Sequence, residues 1–225
     1  HLYSEYNANG NRFAEMFVPY YKVHLVNLRG CGKSTDDVSF FNYGMQDSVE
    51  DLEAIRKALG YVAWGFAGHS TGGMLALNYA ILHPASVEFI VAGGLCASAE
   101  YMHHPASIYC KENPNNKRIL EILAMLADPS STIEQRKSGS KEWALMSLYK
   151  EQSYDNIISR PSSGKTVSKR LDYFSYKELP DFDLRPQLPS VKTKAYIYGG
   201  LYDAQCPYEF AVEAADLLAN ATLTT

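Results

Sequence analysis

Residues Gly68-His69-Ser70-Thr71-Gly72-Gly73 constrain this chain more than any other stretch. They set a serine at the centre of the pattern G-x-S-x-G. The apolar run Tyr61-Val62-Ala63-Trp64-Gly65-Phe66-Ala67 in front reads as a buried strand, and residues 74–82 behind read as a helix stopped by Pro84. A strand that turns at once into a helix leaves almost no room at the corner, so residues beside the central one must lack side chains where the two elements touch. This is the setting of a nucleophile elbow, which lifts a serine hydroxyl clear of the backbone at the positive end of a helix. The competing reading is a glycine-rich loop with an incidental serine.

Around this motif, strand-like and helix-like segments alternate, the signature of a parallel sheet flanked by helices. Residues 11–18 read as a helix ended by Pro19, and residues 21–27 as a strand. Asp47 and Ser48 offer N-caps, with Glu50 at capping-box spacing from Asp47. The helix they start carries Val49, Leu52, Ile55 and Leu59 on one side and ends at Gly60. A strand follows over 87–92, closed by Gly93-Gly94. The rhythm then breaks. Residues 95–189 show helical patterns, clearest at 116–127 and 143–149, with no convincing strand. Loops such as Pro129-Ser130-Ser131 and Arg160-Pro161-Ser162-Ser163-Gly164 separate them. A strand at 194–198, a helix at 207–218 and the start of another strand at 221–225 restore the pattern. The expected organisation is an α/β core over 1–95 and 190–225 with a helical cap insertion over 96–189. A first residue that is not methionine, and a last segment that reads as the entry to a strand, lead us to expect part of a longer protein, incomplete at both ends.

Hydrophobic residues make up 46% and charged residues 20% of the 225, with a net charge of −4. This suits one soluble core and gives no basic face for nucleic acid. No apolar run reaches the roughly 18 residues of a membrane span. Cys31, Cys96, Cys110 and Cys206 are widely spaced and read as free thiols of a reducing compartment. A cytoplasmic protein with no membrane or nucleic-acid partner is expected. His103-His104 lacks further ligands, so neither metal nor cofactor is expected. The stretch Gly30-Cys31-Gly32-Lys33-Ser34-Thr35 suggests a phosphate loop, but that motif needs a glycine where Asn27 stands.

Three segments carry a family resemblance. Asn27-Leu28-Arg29-Gly30-Cys31-Gly32-Lys33-Ser34 resembles the D-x-R-G-x-G-x-S segment of the α/β-hydrolase fold superfamily. The elbow follows it, and Gly200-Leu201-Tyr202-Asp203-Ala204-Gln205-Cys206-Pro207 is similar to the G-x-x-D-x-x-x-P loop that carries the family's triad acid. The R-G-C-G-K-S wording and the cap length look most like proline iminopeptidase-type members. The elbow wording is similar to esterase and perhydrolase members instead.

The resemblance implies a serine hydrolase that cleaves an ester or amide of a small-molecule or peptide substrate through an acyl-enzyme. It includes a proline iminopeptidase-like aminopeptidase among the options. Ser70 would be the nucleophile and Asp203 the acid, with Glu100 the runner-up; Asp203 also reads as a plain turn aspartate. The backbone N–H groups of Thr71 and Tyr3 would form the oxyanion hole, although Leu2 stands where the family has glycine. Arg29 would bond the loops beneath the site or stand as a solvated charge, and His83 would serve the carbonyls of the elbow helix. None of the six histidines, His1, His24, His69, His83, His103 and His104, follows Asp203 in the family's chain order, so the base is expected beyond Thr225. The resemblance also places a strand from upstream of His1 between residues 21–27 and the elbow strand. Trp143 and Tyr149 are candidates for the pocket wall, and Glu112, Glu121 and Glu142 for holding a substrate amine. The rival reading is a ligand-binding protein on the same scaffold, with weak or no catalysis.

Overall fold

The computed structural model describes residues 1–7, 11–35, 42–150, 153–159 and 164–225. Four strands form a parallel sheet in the order β2-β3-β5-β6: β2 (Trp64–His69), β3 (Val87–Gly93), β5 (Lys194–Tyr198) and β6 (Ala221–Thr224). A two-residue antiparallel pair joins β1 (Ser4–Glu5) to β4 (Lys165–Thr166). Helix α2 (Met45–Ala58) precedes β2, α3 (Thr71–Leu82) joins β2 to β3, and α8 (Tyr208–Leu217) joins β5 to β6. Between β3 and β5 lie α4 (Asn116–Ala127), α5 (Ile133–Met146), α6 (Ser153–Ile158) and α7 (Ser168–Tyr173).

The core sits between sheet and helices. Met74, Leu75 and Leu77 of α3 pack with Ile90 and Ala92 of β3, Ala195 and Ile197 of β5, and Phe210 and Ala214 of α8. Helix α3 is buried on nearly every side, as an apolar helix without a polar face must be. A smaller cluster of Ile108, Ile119 and Ile122, with Leu123, Leu126 and Trp143 against it, holds α4 to α5. Phe174, Leu179, Phe182 and Leu188 follow α7 in sequence, yet they pack into the main core.

Several local expectations are corrected. Residues 21–27 are not a strand. A strand exists only by pairing, and an open cleft of about 810 Å³, lined by Val23, Leu25, Trp64, Phe66 and Phe89 among others, separates this segment from β2. Helix α1 (Arg12–Glu15) is shorter than predicted; Asn11 caps it by accepting the Ala14 N–H at 3.0 Å, and turns carry the chain on to Tyr21. Helix α2 starts two residues before Asp47, with Gly44 as its N-cap, and the Glu178 carboxylate takes the Met45 N–H at 2.7 Å. The Asp47–Glu50 capping box therefore does not form. Leu59 is exposed, whereas Glu53 and Arg56 lie on the buried face. Helix α5 begins ten residues ahead of Trp143, because Thr132 and Gln135 make a capping box there. Residues 160–163 of the predicted Arg160–Gly164 loop lie outside the described residues.

Candidate active site

Ser70 sits between the last residue of β2 and the first of α3. Its φ is 56° and its ψ −125°, the sole positive φ among the described non-glycine residues. Such a conformation costs about 1–3 kcal/mol, and hydrogen bonds on both sides hold it. The Ser70 N–H donates to Gly93 O at 2.8 Å, while the Ser70 carbonyl accepts from Gly73 N at 2.7 Å and Met74 N at 3.1 Å. A Cβ on Gly68 would lie 2.0 Å from the Gly72 carbonyl oxygen, so backbone meets backbone at this corner. Gly68→Ala is expected to cost about 3 kcal/mol, since neither wall is a flexible side chain. Urea unfolding checks it, and a loss below about 1 kcal/mol would contradict the cramped corner.

Ser70 is half-buried, and its Oγ has no hydrogen-bond partner among the described residues. Asp203 lies five residues beyond the end of β5. Strands β2 and β5 run parallel on either side of β3, so Ser70 and Asp203 both follow the C-terminal ends of the strands, at one end of the sheet. Two strand spacings, about 10 Å, separate the strands that carry them. Asp203 Oδ1 accepts from Gln205 N and Cys206 N, both at 2.9 Å, which is the turn arrangement the sequence allowed. Among the described residues, Oδ2 is left without a hydrogen-bond partner. Glu100 is exposed in a 3-10 turn after β3.

The Asp203 loop is clasped by residues of the segment between β3 and β5, a contact with no signal in the sequence. Gln205 Nε2 donates to Ser147 Oγ at 2.8 Å, and Tyr109 Oη donates to Gln205 Oε1 at 2.7 Å. The Ile108 N–H donates to Ala204 O at 2.8 Å. The rings of Tyr149 and Tyr202 stack with centroids 3.9 Å apart. Tyr149 therefore belongs to this clasp, and Trp143 packs against the α4–α5 cluster.

The loop before β1 meets the start of α3. The Leu2 N–H donates to Thr71 Oγ1 at 3.1 Å, and Tyr3 O accepts from Val167 N at 2.8 Å. Among the described residues, the N–H groups of Thr71 and Tyr3 have no acceptor, so both remain available as donors. Burial pushes the Tyr3 phenol up to about 12, which keeps this wall neutral.

No histidine reaches Ser70 Oγ or Asp203. His24 Nε2 is 3.1 Å from Tyr61 Oη, and His69 Nδ1 is 3.0 Å from Tyr198 Oη. The His83 ring bonds Glu50 at 2.8 Å, tying α3 to α2 instead of serving helix carbonyls. His104 Nδ1 accepts the Ala106 N–H at 3.3 Å, His103 is exposed, and His1 packs edge-on to His69. Arg29 grips Asp51 through two bonds of 2.6 Å, and these bonds raise its pKa. The carboxylates named as candidates for holding a substrate amine are already engaged. Glu142 and Glu121 bond Arg118, and Glu112 accepts from the Cys110 thiol. The Gly30 and Cys31 amides are bonded within their own loop, to Thr35 O and Leu28 O, and do not form an anion cradle. Among the described residues, no group of three His, Cys, Asp or Glu side chains could hold a metal ion, and no helix is long and apolar enough to cross a membrane.

A sequence model of the alpha/beta hydrolase fold matches residues 7–108. The proline iminopeptidase of Xylella fastidiosa strain 9a5c is 39% identical over 75 residues, 33% of this chain and 24% of that protein. The proline iminopeptidase of Neisseria meningitidis serogroup B is 34% identical over 82 residues, 36% of this chain and 26% of that protein. The matched region thus spans about a quarter of these relatives. An alpha/beta fold family hydrolase from Bacillus anthracis strain Sterne superposes on the whole chain with a TM-score of 0.94. It is 51% identical, and the match covers 81% of its length.

Proposed function

We propose that this chain, which belongs to the α/β-hydrolase family, carries most of a serine hydrolase acting through an acyl-enzyme on an ester or amide. One observation carries the reading. A serine at positive φ presents an Oγ with no hydrogen-bond partner among the described residues, and the Thr71 and Tyr3 backbone amides lack acceptors among them too. Ser70 Oγ attacks the substrate carbonyl, and the oxyanion that forms is held by the N–H groups of Thr71 and Tyr3. A histidine oriented by Asp203 takes the serine proton and passes it to the leaving group; water then releases the acyl group by the same relay in reverse. That histidine is proposed to follow β6, in the order Ser, Asp, His, and the codons after Thr225 check it. A strand from upstream of His1 is proposed to fill the cleft beside β2. Strand β2 already donates from alternate residues to β3, as Trp64 N does to Ser86 O, so slow hydrogen exchange of the cleft-facing amides of Gly65, Ala67 and His69 in a longer chain, against fast exchange of the same amides in residues 1–225, tests this.

The experiment is pre-steady-state hydrolysis of p-nitrophenyl acyl esters by the full-length protein. A burst of about one p-nitrophenol per chain is expected, because an activated ester acylates faster than the acyl-enzyme hydrolyses and the intermediate accumulates. Absence of both burst and turnover would reject the reading. It would favour the alternative of a ligand-binding protein on this scaffold, which the lack of a histidine at Ser70 motivates. Parallel assays on proline anilides separate an iminopeptidase from an esterase. Similarity to proline iminopeptidases supports the former. The pairing of Glu121 and Glu142 with Arg118 leaves those carboxylates little free to hold a substrate amine.

A further inference from the structure

Arg170, on α7, is fully buried, the largest side chain among the described residues to be so. Its partners are unusual for a buried charge, because none of the groups it directly bonds among the described residues is a carboxylate. Its Nε donates to Leu2 O at 2.8 Å and its Nη1 to Arg29 O at 2.8 Å. Its Nη2 donates to Tyr43 O at 3.2 Å and to Ser48 Oγ at 2.8 Å. The guanidinium also lies against the Tyr43 ring, 5.5 Å from its centroid. Burial lowers its pKa and Arg29 adds to that, while Asp51 and Glu178 favour the charge from farther off. Keeping such a cation away from water is costly, and four hydrogen bonds to neutral oxygens offset that cost here.

The Leu2 carbonyl belongs to the same planar peptide group as the Tyr3 N–H, and in a trans peptide the two point in opposite directions. A bond that fixes one therefore aims the other. A charged donor on the oxygen also draws electron density from the amide and strengthens its N–H as a donor. The neighbouring groups are tied as well: Leu2 N–H to Thr71 Oγ1, and Tyr3 O to Val167 N–H, one residue before α7. Of the backbone polar groups of Leu2 and Tyr3, the Tyr3 N–H alone lacks a partner among the described residues.

We infer that Arg170 is a positioning residue for the oxyanion hole, holding and polarising the Leu2–Tyr3 peptide so that its N–H serves the developing oxyanion. This rests on the serine-hydrolase reading. It gives helix α7, remote from Ser70 in sequence, a role in the chemical step. It also explains how Leu2 replaces a small residue there: the path of this loop is set from outside by a guanidinium.

The test uses the full-length protein with p-nitrophenyl butyrate as substrate and phenylboronic acid as a tetrahedral mimic. Arg170→Lys keeps the charge but cannot reach all four acceptors. It is expected to lower kcat about 10- to 100-fold, a part of what loss of an oxyanion donor costs. KM should stay within about twofold, and phenylboronate inhibition should weaken by the same factor as kcat. Labelling of Ser70 by a fluorophosphonate should continue. In Arg170→Ala, added guanidinium should restore kcat and sodium should not. Should the position-170 variants fail to fold, Thr71→Val removes the bond on the other side of the same loop and must show the same fall in kcat at constant KM. Unchanged kcat in a folded variant, or a rise in KM alone, overturns the proposal while the Ser70 reading stands. A wild-type protein with neither turnover nor label removes both.

Discussion

Ser70→Ala in the full-length protein is expected to lower turnover of short acyl esters by about 10⁴-fold or more, the scale on which a serine nucleophile is lost when its partners remain. Stability should hardly change, because alanine at φ 56° and ψ −125° meets the same strain as serine and the bonds holding this corner are made by backbone atoms. A parallel loss of activity and fold would mean that the hydroxyl is a packing group. Retained turnover would mean that another group performs the attack. The residual rate also informs: the Thr71 and Tyr3 amides remain in Ser70→Ala, so some acceleration over water should survive. Arg170→Lys acts on the complementary half of the site, leaving the hydroxyl in place and loosening the hole.

The largest effect on stability is expected at Glu53. It projects from α2 towards Tyr79 of α3, and the residue is 2% exposed. It accepts from Arg56 Nε at 2.9 Å and Nη2 at 2.7 Å, from Tyr79 Oη at 2.6 Å and from Ser86 Oγ at 3.0 Å. Tyr79 Oη in turn accepts from Trp64 Nε1 at 2.9 Å, and Arg56 Nη1 donates to Val62 O at 2.8 Å. One carboxylate thus joins α2, α3, the strand leading into the elbow and the turn into β3. Glu53→Ala would strand a buried guanidinium, a phenol and a hydroxyl together, and is expected to cost about 3–5 kcal/mol.

The pH dependence follows from the same contacts. The Arg56 bonds first, then those of Tyr79 and Ser86, hold the Glu53 carboxyl down at about 2, against 4.5 for a free side chain. A depressed carboxylate stabilises the fold fully above its unfolded pKa. That contribution, about 3 kcal/mol at 1.36 kcal/mol per unit, is lost as pH falls from about 4.5 towards 2. Urea midpoints measured from pH 6 to pH 2.5 should therefore drop steeply in the wild type. Glu53→Gln, weaker throughout, should show a shallower slope, and equal slopes would contradict the network.

These two regions differ in how much of them could be read in advance. The elbow was legible because its glycines answer a local steric demand: at Gly68 a side chain would meet the Gly72 carbonyl. Helix α4 and strand β5 were legible to the residue, since loop residues and apolar periodicity agree at both ends. Residues 21–27 have the composition of a strand but no neighbour to pair with, and composition does not report pairing. Glu53 and Arg56 lie outside the apolar stripe of Val49, Leu52, Ile55 and Leu59 that the sequence showed; their burial depends on Tyr79 and Ser86, which lie 26 and 33 residues from Glu53. Arg170 gave no signal at all, because its partners are backbone carbonyls that any residue supplies. Thr71 and Tyr3 were named from resemblance; that the loop holding Tyr3 is tied on three sides emerges only from the tertiary contacts.

The central claim is that the hydroxyl at position 70 is uniquely reactive. It is tested most directly by treating the full-length protein with a fluorophosphonate and mapping the adduct by peptide mass spectrometry. A single phosphonyl group on Ser70, abolished in Ser70→Ala, is the predicted result. Labelling at another serine, or an intact protein mass under conditions that modify a control serine hydrolase, would contradict it.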